Sequence, residues 1–469
     1  MYFNKERKAI QMDEVRILSP QGMLGYGFPK ESFEAGIALK PHAICVDAGS
    51  TDGGPHKLGA GVGITSKKMV KRDIGMMLEA GLKNHIPVLV GSAGGSGGQP
   101  HIEWTLEVVQ ELARERGWKL KIAVIFATID KQWLKEQVRL GTVTALPGVS
   151  ELNDREVDLA TEIVAQMGYE SYLPALEQGV DLILAGRSYD PAMTAAVSVH
   201  YGMDVALGYH MGKILECGAL CAVPGSAKDC MLGYIRKDSF DVRSLNNDRL
   251  CTPHSVAAHT LYEKGHPYSL PCPGGVSELA DCIFEQIDPH TVRVSGSKFR
   301  KSEQYVVKLE GSKLSGYRSI FIAGIRDPLA IRKIDELLEG THQLLTETFP
   351  EINDGDHFID YKVYGRNGIM AEMEPQKEIT SQELCVLVEV VAPTQLNAAA
   401  ICAFCRSTML HYHYKGRYST AGNLAFPFAP SDFNVGEVYE FNVYHLVPVD
   451  DPANFFRTEY REIGGSASA

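Results

Sequence analysis

Four segments in the first half of the chain are apolar at consecutive positions. They cover residues 43–47, 87–91, 122–126 and 181–185, and amphipathic stretches at 67–84, 102–116 and 155–178 lie between them. A short run of consecutive apolar residues is typical of a strand buried on both faces, whereas the longer stretches have helix-forming composition. Helices that alternate with such strands predict βαβ units, so we expect an α/β fold with a mostly parallel sheet flanked by helices.

The last third of the chain predicts a different arrangement. Strand patterns lie at 319–325, 358–364, 384–391 and 438–446, and helix patterns lie at 327–349 and 394–408. Asp327 and Pro328 suit the cap and the first turn of the first of these helices. The order β-α-β-β-α-β is that of a ferredoxin-like α+β domain.

The predicted domain limits follow from these two patterns. We expect an α/β domain at 1–300, a ferredoxin-like domain at 301–455 and a flexible tail at 456–469. The middle of the chain is less regular, and short alternating pieces at 291–295 and 305–309 predict antiparallel strands there.

The composition narrows the class of protein. The chain has 469 residues, of which 45% are hydrophobic, and its formal net charge is −12. Nucleic acids and anionic membrane surfaces require a basic face, so we expect neither as a partner. No apolar run is long enough to span a membrane, and residues 1–14 are unlike a secretory signal. We therefore expect a cytoplasmic protein whose ten cysteines are thiols.

Three glycine-rich segments each follow one of the predicted buried strands. They cover residues 47–56, 91–101 and 186–192. Loops at the carboxyl ends of parallel strands meet in one crevice, where ligands bind. Successive glycines and the helix starts that follow them present backbone N–H groups, which favour a phosphate or a carboxylate. The loops therefore predict a site for a small anionic substrate rather than three unrelated turns.

The polar residues in and near these loops are the candidate site residues. We expect catalytic roles for Asp47, His56, His101, Arg187 and Asp190. We expect substrate contacts from Ser50, Thr51, Gly94, Gly95, Ser188, Arg366 and Asn423. Either histidine suits a general base near neutral pH, and a guanidinium suits a carboxylate substrate. The alternatives are that the histidines are ordinary hydrogen-bonded side chains, that Arg187 pairs with Asp190, and that Arg366 bridges the two domains.

The loops match no cofactor fingerprint. They contain neither the phosphate-loop lysine of nucleotide hydrolases nor the Gly-x-Gly-x-x-Gly spacing of nicotinamide or flavin sites. A divalent ion such as Mg²⁺ would neutralise an enolate, and Asp47, Asp52 and Asp190 are its candidate ligands.

The cysteines give weaker signals. Cys402 and Cys405 form a Cys-x-x-Cys pair, but their helix-forming surroundings favour a core helix over a redox or zinc site. Cys217 and Cys251 are candidate nucleophiles without an adjacent base.

Several of these segments resemble one family. The resemblance is carried by Asp47-Ala-Gly-Ser-Thr-Asp52, Gly91-Ser-Ala-Gly-Gly95, Ala185-Gly-Arg-Ser-Tyr-Asp-Pro191, Cys251-Thr-Pro253, Ser319-Ile-Phe-Ile-Ala-Gly-Ile-Arg-Asp-Pro328, Tyr364-Gly-Arg-Asn-Gly368 and Ala421-Gly-Asn-Leu-Ala-Phe-Pro427. Together they resemble the acyclic terpene utilisation (AtuA-like) family over residues 16–451. The resemblance implies bacterial catabolism of branched or hydroxylated acids, often beside a small companion protein.

Two functions are compatible with these observations. The first is a lyase, either a hydro-lyase or a carbon–carbon lyase, acting on a small hydroxy- or unsaturated carboxylic acid, free or as a CoA thioester. The second is a non-catalytic acyl-binding or scaffold subunit that works with a small partner protein. We expect a homo-oligomer in either case.

Overall fold

The structure is a computed structural model that describes residues 12–49, 53–263 and 265–464. Its strands are β1 (Val15–Ser19), β2 (Ala43–Asp47), β3 (Val88–Gly91), β4 (Leu120–Ile125), β5 (Thr144–Ala145), β6 (Ala160–Ala165), β7 (Leu182–Ala185), β8 (Met231–Ile235), β9 (Ser239–Ser244), β10 (Ser269–Cys272), β11 (Gly275–Glu278), β12 (Ile283–Asp288), β13 (Thr291–Ser295), β14 (Lys298–Lys301), β15 (Val306–Ile325), β16 (Phe358–Tyr364), β17 (Leu384–Ala392), β18 (Asp432–Pro448) and β19 (Thr458–Ile463).

Helices connect most of these strands. They are α1 (Lys30–Ala38), α2 (Gly54–Ala60), α3 (Lys67–Asn84), α4 (Gln99–Arg116), α5 (Lys131–Arg139), α6 (Asp154–Leu159), α7 (Leu173–Glu177), α8 (Ala192–His200), α9 (Val205–Leu215), α10 (Pro253–Thr260), α11 (Pro328–Arg332), α12 (Ile334–Thr348) and α13 (Gln395–His411). No helix in the described part of the chain is long and apolar enough to cross a membrane.

The described residues fall into two compact units. One unit comprises the chain up to Ser312 together with the residues from Phe441 onward, and the other comprises Lys313–Glu440. The unit boundaries lie inside the long strands β15 and β18. The domain limits at 300 and 455 that the sequence suggests are not tested by this division and remain predictions.

A large mixed sheet forms the framework of the first unit. Its strand order is β12-β13-β9-β8-β1-β2-β3-β7-β4-β19. The central strands β1, β2, β3, β7 and β4 are parallel, whereas the outer strands are antiparallel to their neighbours. The predicted α/β class is confirmed, and the parallel part of the sheet is its centre.

The sequence of the central strands explains why they are buried on both faces. In β2, Ala43 and Cys45 join one hydrophobic cluster, whereas Ile44 and Val46 join the other. Alternate side chains of a strand point to opposite faces, so a strand that is apolar at every position can bury both.

The helices beside these strands show the expected terminal signals. The Ser66 side chain caps α3 by accepting a hydrogen bond from the backbone N–H of Met69, and α4 ends at Gly117 in the left-handed conformation. Helix α3 has the bounds that the sequence predicts, and α4 begins three residues earlier than its predicted start.

The second unit has an antiparallel sheet with two long helices. Strand β17 pairs antiparallel with β16 and with residues 317–325 of β15, and helices α12 and α13 contribute to the same hydrophobic cluster. The elements follow one another as β15, α11, α12, β16, β17, α13 and β18, and the ferredoxin-like arrangement stays a prediction. Cys402 and Cys405 are buried in this cluster, as a core helix requires, and burial raises the pKa of both thiols to about 12.

Three stretches differ from the sequence prediction, and the first is the helix predicted at 327–349, which is divided at Lys333 into α11 and α12. Residues 155–178, predicted as one helix, are divided into α6, strand β6, a short 3-10 turn and α7, because β6 pairs with β15. Residues 458–463, placed in the flexible tail by the sequence, form β19 and pair with β4. The end of that tail, 465–469, lies outside the described residues.

Candidate functional site

The three glycine-rich loops lie side by side because they follow adjacent strands. Strands β2, β3 and β7 are neighbours in the sheet. Hydrogen bonds continue beyond the strand ends, from the N–H of Ala48 to the oxygen of Gly91 (2.9 Å) and from the N–H of Ser92 to the oxygen of Gly186 (3.0 Å). In the parts of the loops that the structure describes, the three loops therefore lie together, as the sequence predicts.

The second and third loops are in contact at Gly97. Its carbonyl oxygen accepts a hydrogen bond from the backbone N–H of Arg187 at 3.1 Å. A Cβ atom on Gly97 would lie 2.1 Å from that same nitrogen, and Gly97 has a φ of +67°. Only glycine fits this position without displacing the Arg187 backbone.

A cavity of about 230 Å³ opens beside these loops, and we call it the carboxyl cavity. Its described lining residues are Gly22, Met23, Tyr26, Asp47, Gly49, Arg187, Asp190, Glu216, Cys217, Leu220, Ala227, Tyr262 and Glu263. All of them belong to the first unit. Four are acidic and one is basic, so the carboxyl groups dominate this cavity.

Asp47 ends β2 and is 5% exposed. Its Oδ2 accepts a hydrogen bond from the N–H of Gly49 at 3.0 Å, and its Oδ1 has no hydrogen-bond partner among the described residues. Burial and the nearby Asp190 raise the pKa of Asp47 well above its usual range, against the opposing influence of Arg187. Asp47 is therefore a buried carboxyl group that readily holds a proton.

Glu216 directly follows the buried helix α9. Its Oε1 accepts a hydrogen bond from Lys213 Nζ at 2.5 Å, and its Oε2 has no partner among the described residues. Burial, followed by the charge of Asp190, raises the pKa of Glu216 to about 8, although Lys213 acts in the opposite direction. Glu216 therefore exchanges a proton close to neutral pH.

Arg187 is fixed in place by Glu310 of β15. The Nε atom of Arg187 lies 2.8 Å from Glu310 Oε2, and its Nη2 atom lies 3.3 Å from Glu310 Oε1. Its Nη1 atom lies 3.4 Å from Ser92 Oγ and 3.8 Å from Asp190 Oδ1. Burial alone would raise the pKa of Glu310, but Arg187 and Lys308 lower it to about 2. A paired, charged Glu310 holds the guanidinium in one orientation.

The structure does not bring the two predicted histidines to the cavity. His101 lies in the first turn of α4, is fully buried, and its Nε2 is 3.0 Å from the carbonyl oxygen of Lys57. Burial lowers the pKa of His101. His56 is exposed on α2 and does not line the cavity. Neither histidine lines the carboxyl cavity, and the catalytic role expected for each stays a prediction; His101 is hydrogen-bonded, as the alternative describes.

The predicted substrate contacts are also divided. Ser188 is fully buried and its hydroxyl donates to the carbonyl oxygen of Gly186 at 2.9 Å, and a Cβ on Gly94 would press against His101. Gly95 lines a second cavity that is described below. Ser50 and Thr51 lie outside the described residues.

Arg366 and Asn423 have structural partners in the second unit. Arg366 Nη2 lies 3.0 Å from Asp335 Oδ2 of α12, so its pairing is within the unit. Asn423 Nδ2 donates to the carbonyl oxygens of Met409 and Tyr412 at the end of α13. These bonds account for both side chains without a substrate.

The structure describes two of the three predicted metal ligands. Asp47 and Asp190 both line the carboxyl cavity, whereas Asp52 lies outside the described residues. Among the residues that the structure describes, no group of three or more His, Cys, Asp or Glu side chains has an arrangement that could hold a metal ion.

In the sequence, Lys213 and Glu216 stand out only as polar residues in apolar surroundings, and Glu310 and Lys308 are not predicted at the site. A signal for the first two was present, because Lys213 and Glu216 are the charged residues in and directly after an otherwise apolar helix. Charged groups in such a helix are rarely buried unless they are paired or functional. The neighbouring Cys217 lines the cavity, but burial raises the pKa of its thiol, so the thiolate expected of a nucleophile is disfavoured.

Comparison with known families gives one match. The sequence model described as "Acyclic terpene utilisation family protein AtuA" matches residues 67–228 and 242–428, which make up most of the chain. The matched segments contain Arg187, Asp190 and Glu216, whereas Asp47 precedes them. No curated protein and no solved structure matches the chain.

Proposed function

Because the chain belongs to the acyclic terpene utilisation AtuA family, we propose that it is a catabolic enzyme of the lyase or hydratase type. Its substrate is a small hydroxy- or unsaturated carboxylic acid, free or as a thioester, that binds in the carboxyl cavity. The observation that carries the proposal is that two buried carboxyl groups in one cavity, Asp47 and Glu216, each have an oxygen without a described hydrogen-bond partner.

These two oxygens favour a polar ligand. A buried carboxyl oxygen without a hydrogen bond costs roughly 1–3 kcal/mol, which a ligand that donates to it would recover. Perturbed carboxyl groups cluster at catalytic sites, since a raised pKa makes the neutral form a proton donor at neutral pH and the ionised form a stronger base.

The proposed reaction uses the pair in complementary roles. In its ionised form, which the raised pKa makes a stronger base, Asp47 removes the proton from the carbon next to the substrate carbonyl, and the resulting electron pair forms the new double bond. Protonated Glu216 gives its proton to the hydroxyl group on the next carbon, which leaves as water. The Arg187 guanidinium, fixed by Glu310, stabilises the negative charge that develops on the carbonyl oxygen.

The proposal is tested by proton exchange, which does not require the natural substrate. Short 3-hydroxy acids, 2-unsaturated acids and their CoA thioesters are incubated with the full-length protein in ²H₂O, and deuterium at the α carbon is followed by NMR. We expect exchange with at least one class of compound. Asp47→Asn and Glu216→Gln should each reduce it at least 100-fold.

Glu107→Gln is the matched control, because Glu107 is an exposed acid on α4 away from the cavity. It should exchange at the wild-type rate. If compounds bind but neither exchange nor conversion occurs in any of them, the proposal fails, and the chain is instead an acyl-binding subunit that works with a partner protein.

A further inference from the structure

A second cavity of about 140 Å³ shares Arg187 with the carboxyl cavity. Its described lining residues are Gly54, Leu58, Gly95, Ser96, Arg187, Lys308, Glu310, Phe441 and Tyr444, all of the first unit. We call it the cation cavity. Arg187 is the one described residue that lines both cavities.

The two cavities differ in charge. The carboxyl cavity has four acidic residues and Arg187 in its described lining, whereas the cation cavity has Arg187 and Lys308 against a single Glu310. Both oxygens of Glu310 are engaged by these cations, since Oε2 pairs with Arg187 Nε and Oε1 lies 2.6 Å from Lys308 Nζ. The three charged side chains in the described lining of the cation cavity therefore sum to one positive charge, and Arg187 also lies 3.8 Å from Asp190 of the carboxyl cavity.

The remaining walls of the cation cavity strengthen this charge. Leu58 is buried, and the rings of Phe441 and Tyr444 pack with their centroids 5.8 Å apart. Lys308 Nζ lies 5.1 Å from the centre of the Tyr444 ring, which holds the ammonium group at the cavity wall. An ion pair beside apolar walls is screened less than one in open water.

We infer that the substrate lies across Arg187, with its reacting hydroxyl and carbonyl in the carboxyl cavity and a second anionic group in the cation cavity against Lys308. This inference rests on the proposed function and adds the class of substrate. The acceptor oxygens of Asp47 and Glu216 face the hydroxyl end, and the surplus positive charge faces the anionic end. A carboxylate of a dicarboxylic acid and a phosphoryl group share the required chemistry.

The test measures binding of simple probes to the full-length protein by calorimetry. Succinate, glutarate and adipate are compared with butanoate, pentanoate and hexanoate, and inorganic phosphate is measured separately. We expect one dicarboxylate, or phosphate, to bind at least tenfold tighter to the wild type than to Lys308→Met. Lys308→Arg should retain wild-type binding, because it keeps the charge.

The probes also identify the source of the anion. If affinity is highest at one chain length among the dicarboxylates and shows no such maximum among the monocarboxylates, the second anionic group of the substrate is a carboxylate. If phosphate binds in a Lys308-dependent way, that group is a phosphoryl group. If no probe loses affinity in Lys308→Met while that variant has the wild-type circular dichroism spectrum and melting temperature, the inference is overturned. Glu107→Gln should bind every probe as the wild type does.

The design separates this inference from the proposed function. Asp47→Asn and Glu216→Gln should lose proton exchange but keep the Lys308-dependent binding of the probes. If the probes bind in a Lys308-dependent way but no proton exchange occurs, the anion site in the cation cavity is supported and the lyase chemistry is rejected. If Lys308→Met exchanges protons at the wild-type rate and reaches half of its maximum rate at the wild-type substrate concentration, the lyase chemistry is supported and the anion site at Lys308 is rejected.

Discussion

Glu216 should make the protein less stable as the pH rises, and Glu216→Gln should remove this effect. The pKa of Glu216 is about 8 in the fold, against 4.5 for an unperturbed glutamate. Between these values the folded state holds a proton that the unfolded state has released. Stability therefore falls as the pH rises through this window and levels off above the folded-state pKa.

The size of the effect follows from the pKa difference. One pKa unit corresponds to about 1.4 kcal/mol, so the full difference amounts to about 5 kcal/mol above pH 8. At pH 5.5 only about 1 kcal/mol of it has developed. Glutamine resembles the neutral acid in shape, and Lys213 faces a neutral partner in both proteins at low pH. The free energy of unfolding of Glu216→Gln, relative to that of the wild type, should therefore increase by about 3 kcal/mol between pH 5.5 and pH 8.5.

The three tryptophans provide the assay. Trp104, Trp118 and Trp133 all belong to the first unit, which also contains Glu216. Urea unfolding followed by tryptophan fluorescence therefore reports this unit, and it is measured at pH 5.5, 7 and 8.5. Glu107→Gln should show no pH-dependent difference from the wild type. A stability difference between Glu216→Gln and the wild type that stays constant or shrinks as the pH rises would refute the reasoning.

Three further results are expected. Lys213→Met should raise the pKa of Glu216, because the Lys213 charge lowers it, and the alkaline limb of the pH–rate profile should move upward. Gly97→Ala should destabilise the first unit by at least about 2 kcal/mol in urea unfolding, because its Cβ meets the Arg187 nitrogen. His101→Gln should lower the melting temperature but change the exchange rate less than about threefold, whereas loss of a general base costs at least about 100-fold.

Each of these has its own control. Lys213→Arg should leave the pH–rate profile in place, and a downward shift in Lys213→Met would contradict the proposed role of its charge. Ala replacing Gly117, which also has a positive φ but no heavy atom near its Cβ, should cost less than the change at Gly97. An exchange rate that collapses in His101→Gln without loss of folding would restore the histidine as a catalytic candidate.

The parallel centre of the fold was predictable because its signals are local. An uninterrupted apolar run such as 43–47 identifies a buried strand without any knowledge of its partner. The error at 155–178 has the opposite cause, since residues 160–165 have helix-compatible composition and become a strand only by pairing with β15. Tertiary pairing there overrides local preference.

The same distinction applies to the site. Asp47, Arg187 and Asp190 were predictable because each lies at the end of a buried strand or just after it. Glu310 and Lys308 come from a strand more than 100 residues further along the chain, and their relation to Arg187 depends on how that strand packs. His101 shows the converse, because this suitable residue type beside the right loop is hydrogen-bonded to Lys57 of α2 and does not line the carboxyl cavity.

The position of Arg187 in the lining of both cavities has a consequence for how the substrate preference of this protein can change during evolution. Asp47 and Glu216 line one of the two cavities that share Arg187, and Lys308 and Tyr444 line the other. Under the proposed function, substitutions of Lys308 would alter which molecules bind while Asp47 and Glu216 keep their own cavity. The selection of a substrate and its conversion would then evolve separately, with Arg187 common to both.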